Sequence, residues 1–184
     1  MAKQSIIRAV FIERDGILNT IPASTRLGKV LPKKMEEFHV IKEAKPHLER
    51  LIEAGFLLIA TTHQPGISKK TLLQEHLDRM NEVLVTYFGL SEVFCCPDDA
   101  SNECSCKKPL PGLILIAQQR FKIHLPGSFI ISDDWRDYKV AKTVGCRPVI
   151  IRSPYNGKGE LIPDISKVND LAAAVEKILR TPRE

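Results

Sequence analysis

Short apolar runs alternate with helical segments along almost the whole chain, and this alternation constrains the fold more than any other feature. Residues 6–12 and 56–60 are nearly all Ile, Leu, Val, Ala or Phe, with no polar face. Strands that are buried on both sides occur in parallel sheets covered by helices on each side. The sequence therefore predicts an α/β fold, a three-layer sandwich with a mainly parallel central sheet.

The spacing of the apolar residues also predicts where the elements lie. Ser68 is the expected N-cap of the longest helix, because its hydroxyl can accept a hydrogen bond from a backbone amide. We expect a single domain over residues 1–184, with an irregular basic insertion at about 20–39 and a cysteine-bearing loop at about 95–111. Strands are expected at 6–12, 56–60, 93–95, 128–131 and 148–151, and helices at 43–54, 68–87, 111–121, 134–144 and 168–179.

Charge and hydropathy limit the classes of partner. The formal net charge is +5, but the lysines and arginines are spread along the chain. Such a surface suits a small phosphorylated metabolite better than nucleic acid, which calls for a dense basic stripe. No apolar run approaches the ~20 residues that span a bilayer, and the N-terminus lacks an apolar signal region. We therefore expect a cytoplasmic monomer that binds neither nucleic acid nor membrane.

Polar side chains suited to phosphoryl chemistry follow the predicted strands. Glu13 and Asp15 follow the first strand, Thr62 ends the second, Lys108 follows the cysteine loop, and Asp133 follows a later strand. In a parallel sheet these positions share the carboxyl edge, where ligands bind. Mg²⁺ prefers carboxylate and phosphate oxygens, and a carboxylate can attack phosphorus while a second carboxyl group serves the leaving alkoxide. The set predicts hydrolysis of a phosphate monoester through an acyl phosphate.

The order of these residues resembles the four motifs of the haloacid dehalogenase (HAD) superfamily of phosphatases. Three longer runs, R-D-G-x-x-N, T-H-Q-P-G-I and C-x-C-K-K-P-x-P-G, are similar to those of the D-glycero-D-manno-heptose 1,7-bisphosphate 7-phosphatases and their histidinol-phosphatase relatives. The resemblance implies a Rossmann-like, HAD-type fold with a small zinc-loop insertion. It also implies magnesium-dependent hydrolysis of a small sugar phosphate, with a heptose bisphosphate as the expected substrate.

The resemblance assigns a role to each motif residue. Glu13 takes the position of the nucleophile, and Asp15 that of the general acid and base. Thr62 and Lys108 would bind the phosphate, and Glu13, Asp15 and Asp133 would hold Mg²⁺. Further substrate contacts are expected from residues beside the motifs, namely Arg14, Asn19, His63, Gln64, Lys107 and Asp134.

Four positions depart from the family pattern, and one of them is Asp98, which takes the place of the His in the family's zinc loop. The family has Asp where this chain has Glu13, Asn where it has His63, and Gly where it has Ser132. Glutamate is longer than aspartate by one C–C bond, about 1.5 Å, and a displacement of ~1 Å can cost on the order of 10²-fold in rate. A second interpretation therefore stays open: a catalytically impaired relative that binds a phosphosugar or a protein partner.

The basic insertion offers a site for a second phosphate group. Its cationic side chains face the predicted ligand edge, because the insertion leaves from the end of the first strand. A merely solvated basic loop is the alternative. The candidate residues are Arg26, Lys29, Lys33 and Lys34.

Four of the five cysteines lie between residues 95 and 106. The odd total of five cysteines and the lack of a secretion signal argue against a disulfide framework. Thiolates favour Zn²⁺, and a structural zinc site needs four ligands. Cys95 and Asp99 are alternative fourth ligands, and a loop without metal also stays open. The predicted zinc ligands are Cys96, Asp98, Cys104 and Cys106.

Overall fold

One sheet of six parallel strands forms the centre of the computed structural model, which describes residues 6–25, 28–99, 104–153, 162–163 and 166–182. The strands are β1 (Arg8–Glu13), β2 (Ala23–Thr25), β3 (Gly28–Val30), β4 (Phe56–His63), β5 (Glu92–Cys96), β6 (Phe129–Ser132), β7 (Arg147–Ile151) and β8 (Lys167–Val168). The helices are α1 (Lys45–Glu53), α2 (Gln74–Phe88), α3 (Gly112–Phe121), α4 (Trp135–Val144) and α5 (Leu171–Arg180). The sheet has the order β5-β4-β1-β6-β7-β8, and β2 and β3 form a separate antiparallel hairpin.

Alternate side chains of β1 face two different hydrophobic layers. Val10 and Ile12 belong to a buried cluster that includes residues of α1, α2 and α5. Ala9 and Phe11 belong to a second cluster with residues of α3 and α4. Both faces of the central strand are thus covered by helices, which is why its sequence carries no polar face. The predicted three-layer α/β fold is confirmed.

The start of α2 differs from the prediction. The helix begins at Gln74, and Ser68 is not its N-cap, because the Ser68 hydroxyl donates to the carbonyl of Pro97 at 2.8 Å. Residues 65–72 form hydrogen-bonded turns instead, including one from the amide of Thr71 to the carbonyl of Gly66 at 2.8 Å. This segment therefore leads from β4 to α2, and the hydrogen bond from Ser68 to Pro97 holds it against the cysteine loop.

The insertion after β1 also differs from the prediction of irregular structure, since it contains the β2–β3 hairpin. The chain turns sharply before it at Gly16, whose φ of +94° lies in the region that favours glycine. This turn carries the insertion over the carboxyl edge of the sheet. Among the described helices, none combines the length and the apolar character needed to cross a bilayer.

Candidate active site

The carboxyl edge of the sheet brings five predicted residues together, and all of them are buried. Glu13 is the last residue of β1 and pairs in register with Thr61 of β4. The loop between β5 and α3 supplies the fourth residue of the set, and the segment directly after β6 supplies the fifth. The set consists of Glu13, Asp15, Thr62, Lys108 and Asp133.

One ammonium group lies between two buried carboxylates. The Lys108 Nζ donates to Glu13 Oε2 and, at 2.8 Å, to Asp137 Oδ2. Asp137 also accepts from the hydroxyl of Ser132 at 2.5 Å. The last residue of β1 and the first turn of α4 are therefore joined through Lys108.

The charges of this group are unequal, because one cation cannot neutralise two carboxylates. Burial raises the pKa of Glu13 to about 7, against the attraction of Lys108 and with the repulsion of Asp137. Burial alone would lower the pKa of Lys108, but Asp137 and Glu13 raise it above its usual value. Lys108 is thus charged, while Glu13 exchanges its proton close to neutral pH.

Asp15 accepts hydrogen bonds at both of its oxygens. Its Oδ1 accepts from Arg14 Nη2 at 2.9 Å and from Asn19 Nδ2 at 3.1 Å. Its Oδ2 accepts from Arg14 Nε at 3.2 Å, Thr62 Oγ1 at 2.7 Å and Gln64 Nε2 at 2.8 Å. Burial alone would raise the pKa of Asp15, but the charge and hydrogen bonds of Arg14, with those of Thr62 and Asn19, hold it below its usual value.

The structure places the side chain of Arg14, a predicted substrate contact, against Asp15. Its side chain is fully buried, its Nη1 donates to Asn81 Oδ1 at 2.9 Å, and its guanidinium lies 5.9 Å from the ring centroid of Phe38. Arg14 is therefore a buried partner of Asp15. Asn19 and Gln64 are buried too, and their amide nitrogens also donate to Asp15.

Two further predicted contacts are directed at the cysteine loop. The Nε2 of His63 lies 2.6 Å from the carbonyl oxygen of Asp98. The Lys107 Nζ donates to the carbonyl of Asp99 at 3.1 Å. The His63 ring is half-buried, which lowers its pKa. His63, at the end of β4, thus connects the edge of the site to the loop, whereas the Lys107 bond lies within the loop.

Asp134 is the N-cap of α4, and it pairs with a residue that sequence reasoning missed. Its Oδ1 accepts from the backbone amide of Arg136 at 2.9 Å, and its Oδ2 accepts from Arg136 Nη2 at 2.5 Å.

Asn81 was missed as well. Its position, four residues after Leu77 and three before Leu84, puts it on the apolar stripe of α2, and a polar residue on that stripe was the available signal.

Lys29 occupies a position that sequence reasoning did not foresee. Its Nζ donates to the backbone carbonyl of Asp15 and to Asp133 Oδ1, both at 2.6 Å. Lys29, a predicted contact of a second phosphate, is thus bonded at the edge of the sheet, whereas Lys34 is exposed. Lys33 is exposed too, and Arg26 lies outside the described residues. The Asp15 carbonyl oxygen and Asp133 Oδ1 already bind the positively charged ammonium group of Lys29. Together with the carboxylate of Glu13, they are therefore suitable ligands for a hard cation such as Mg²⁺.

The cysteine loop brings four ligand atoms within 4.8 Å of one another. The Sγ atom of Cys106 lies 2.9 Å from that of Cys96 and 3.2 Å from that of Cys104, and Cys96 and Cys104 are 3.7 Å apart. Asp98 Oδ2 lies 3.7 Å from Cys106 Sγ. A tetrahedral site with Zn–S bonds of about 2.3 Å separates its sulfurs by about 3.8 Å. This cluster could therefore hold zinc if Cys106 Sγ moves away from the other two sulfurs, and Cys95 is not part of it.

Known proteins are similar to this chain in sequence and in fold over nearly its whole length. Residues 105–174 match the family described as HAD-hydrolase-like. The D-glycero-beta-D-manno-heptose-1,7-bisphosphate 7-phosphatase of Bordetella bronchiseptica is 27% identical over 185 residues, which cover 95% of this chain and 99% of that protein. The enzyme of the same name from Escherichia coli K12 is 25% identical, with 96% and 97% covered.

Solved structures agree with the sequence comparison. The D,D-heptose 1,7-bisphosphate phosphatase of B. bronchiseptica, complexed with magnesium and phosphate, superposes with a TM-score of 0.78 at 24% identity, over 95% of this chain and 99% of that one. The corresponding enzyme of Burkholderia thailandensis gives a TM-score of 0.64 at 18% identity, over 95% of this chain and 99% of that one. Its motif residues gather at the carboxyl edge of a sheet of this fold, and the chain is similar in sequence to these phosphatases over nearly its whole length.

Proposed function

We propose that this protein is a magnesium-dependent phosphatase that hydrolyses D-glycero-β-D-manno-heptose 1,7-bisphosphate or a close sugar phosphate. The observation that carries the proposal is the buried group in which Lys108 bridges Glu13 and Asp137 beside Asp133. The relatives named above, which span the chain almost completely, support the choice of substrate. The free cysteines fit a reducing compartment, so a cytoplasmic location is part of the proposal.

In the proposed reaction, Glu13 is the nucleophile. Its ionised carboxylate attacks phosphorus and forms an acyl phosphate, which water then hydrolyses. Lys108 holds the Glu13 carboxylate in place and provides a positive charge for the phosphate oxygens. Mg²⁺, held by Glu13, the Asp15 carbonyl and Asp133, would supply charge neutralisation for the phosphate.

Asp15 is proposed to protonate the leaving alkoxide and then to activate water. Its oxygens accept hydrogen bonds from four side chains, and its lowered pKa keeps it ionised. To act as an acid, Asp15 must gain a proton and release at least one of these bonds, such as that from Thr62. The proposed acid role therefore requires a local rearrangement when substrate binds.

The second candidate is a relative that binds the sugar phosphate without turning it over, and Glu13 at the nucleophile position favours it. One experiment separates the two. Heptose bisphosphate is incubated with protein and Mg²⁺, released phosphate is measured, and ³¹P NMR identifies the position that is cleaved. Turnover that is lost in Glu13→Gln supports the phosphatase. Binding of the sugar phosphate with no release by native protein supports the second candidate.

A further inference from the structure

The ammonium group of Lys29 is shared between two segments of the carboxyl edge. One partner is the backbone carbonyl oxygen of Asp15, just after β1, and the other is Asp133 Oδ1, just after β6. Both distances are 2.6 Å. The Lys29 side chain is only 14% exposed and that of Asp133 only 8%. Lys29 is thus a cation held in the site by hard oxygen atoms.

The surrounding backbone leaves room for this ammonium group. A Cβ atom added at Gly16 would lie 3.1 Å from Lys29 Nζ and 3.6 Å from Asp133 Oδ2, closer to the nitrogen than side-chain carbons usually come. Lys29 itself lies in β3, whose pairing with β2 brings it back over the edge of the sheet. Neither feature is needed for a solvated lysine such as Lys34, which is exposed. The position of Lys29 is therefore specific.

We infer that Lys29 is a tethered cation that occupies the metal position, and that Mg²⁺ binds there only by displacing it. Mg²⁺ needs oxygen ligands at about 2.0–2.1 Å. An ion that takes the Asp15 carbonyl and Asp133 at this distance would overlap the ammonium group that now bonds to both. The two cations are thus alternatives, and the hold on Lys29 weakens the apparent affinity for Mg²⁺.

Calorimetric titration of the full chain with Mg²⁺ alone tests the exclusion. Lys29→Met and Lys29→Gln are each expected to bind Mg²⁺ at least about tenfold more tightly than native protein, because no competing cation must leave. Lys34→Met removes the same charge from the same insertion and is expected to change the affinity less than about twofold. Unchanged or weaker binding in the Lys29 variants, or an equal gain in Lys34→Met, overturns the inference. Lys29→Gln serves if Lys29→Met does not fold.

Acylation of lysines, located by mass spectrometry, tests the displacement directly. In metal-free native protein Lys29 should react slowly, because its ammonium is buried and bonded to Asp133. Saturating Mg²⁺ should increase its labelling several-fold and leave that of Lys34 unchanged, and equal labelling of Lys29 with and without Mg²⁺ would refute the displacement. The inference rests on the proposed function only for the choice of metal. Both measurements remain decisive in a protein without phosphatase activity.

Discussion

Shortening residue 13 tests what the extra methylene of glutamate does to the site. The backbone at Glu13 is fixed by its pairing with Thr61 and by the 3.0 Å hydrogen bond from the Arg14 amide to the Thr61 carbonyl. The carboxylate therefore reaches about 1.5 Å farther than that of an aspartate, by one C–C bond. Because a misplacement of ~1 Å costs about 10²-fold in rate, Glu13→Asp should raise kcat on the order of 10²-fold, about 2.7 kcal/mol of barrier.

The assay is single-turnover release of phosphate from heptose bisphosphate at saturating Mg²⁺, so that product release does not limit the rate. Glu13→Gln is the matched control, since it keeps the length of the side chain and removes the nucleophile. The control should be inactive. If native protein is active and Glu13→Asp is equally fast or slower, the length of residue 13 does not limit turnover, and the reasoning fails.

Three other predictions concern pH, metal and stability. In pH–rate profiles of native protein, kcat/KM should rise with pH through about 7, because Glu13 must lose its proton to attack. Asp137→Asn removes a negative charge that raises the pKa of Glu13, so in this variant the rise should occur at lower pH. Elemental analysis should find about one zinc per chain, lost in Cys104→Ser and kept in Cys95→Ser, and a metal-free native preparation would contradict the site. Arg14→Met leaves a buried carboxylate unpaired and should lower the free energy of unfolding by about 3–5 kcal/mol in denaturant titrations; a loss under ~1 kcal/mol would show that the pair is not needed.

The sequence predicted the fold and the position of the site because both depend on local patterns. Continuously apolar runs specify buried parallel strands, and the ends of such strands must lie at one edge. Glu13 closes β1 and Asp133 directly follows β6, so their approach follows from the order of the elements alone. The helix predicted at 134–144 is likewise present as α4, with Asp134 as its N-cap.

The directions of polar side chains were not predictable in the same way. Thr62, Gln64 and Asn19 follow the family pattern, yet their donors point at Asp15, because a buried carboxylate requires hydrogen-bond partners. Lys29 reaches the site through a hairpin that interrupts the pattern of strands and helices. Its contacts depend on the path of the insertion through space, and no local periodicity encodes that path.

The charges of the site connect its two unusual residues, Glu13 and Lys29. Arg14 neutralises Asp15, and Arg136 neutralises Asp134. Among the described residues, the remaining buried carboxylates are those of Glu13, Asp133 and Asp137, and they face the two ammonium groups of Lys108 and Lys29. A divalent ion in place of Lys29 would bring one more positive charge to these three carboxylates than Lys29 does. The longer side chain of Glu13 and the ammonium of Lys29 therefore act on the same electrostatic balance. A substitution of either residue should change how tightly the site holds a cation.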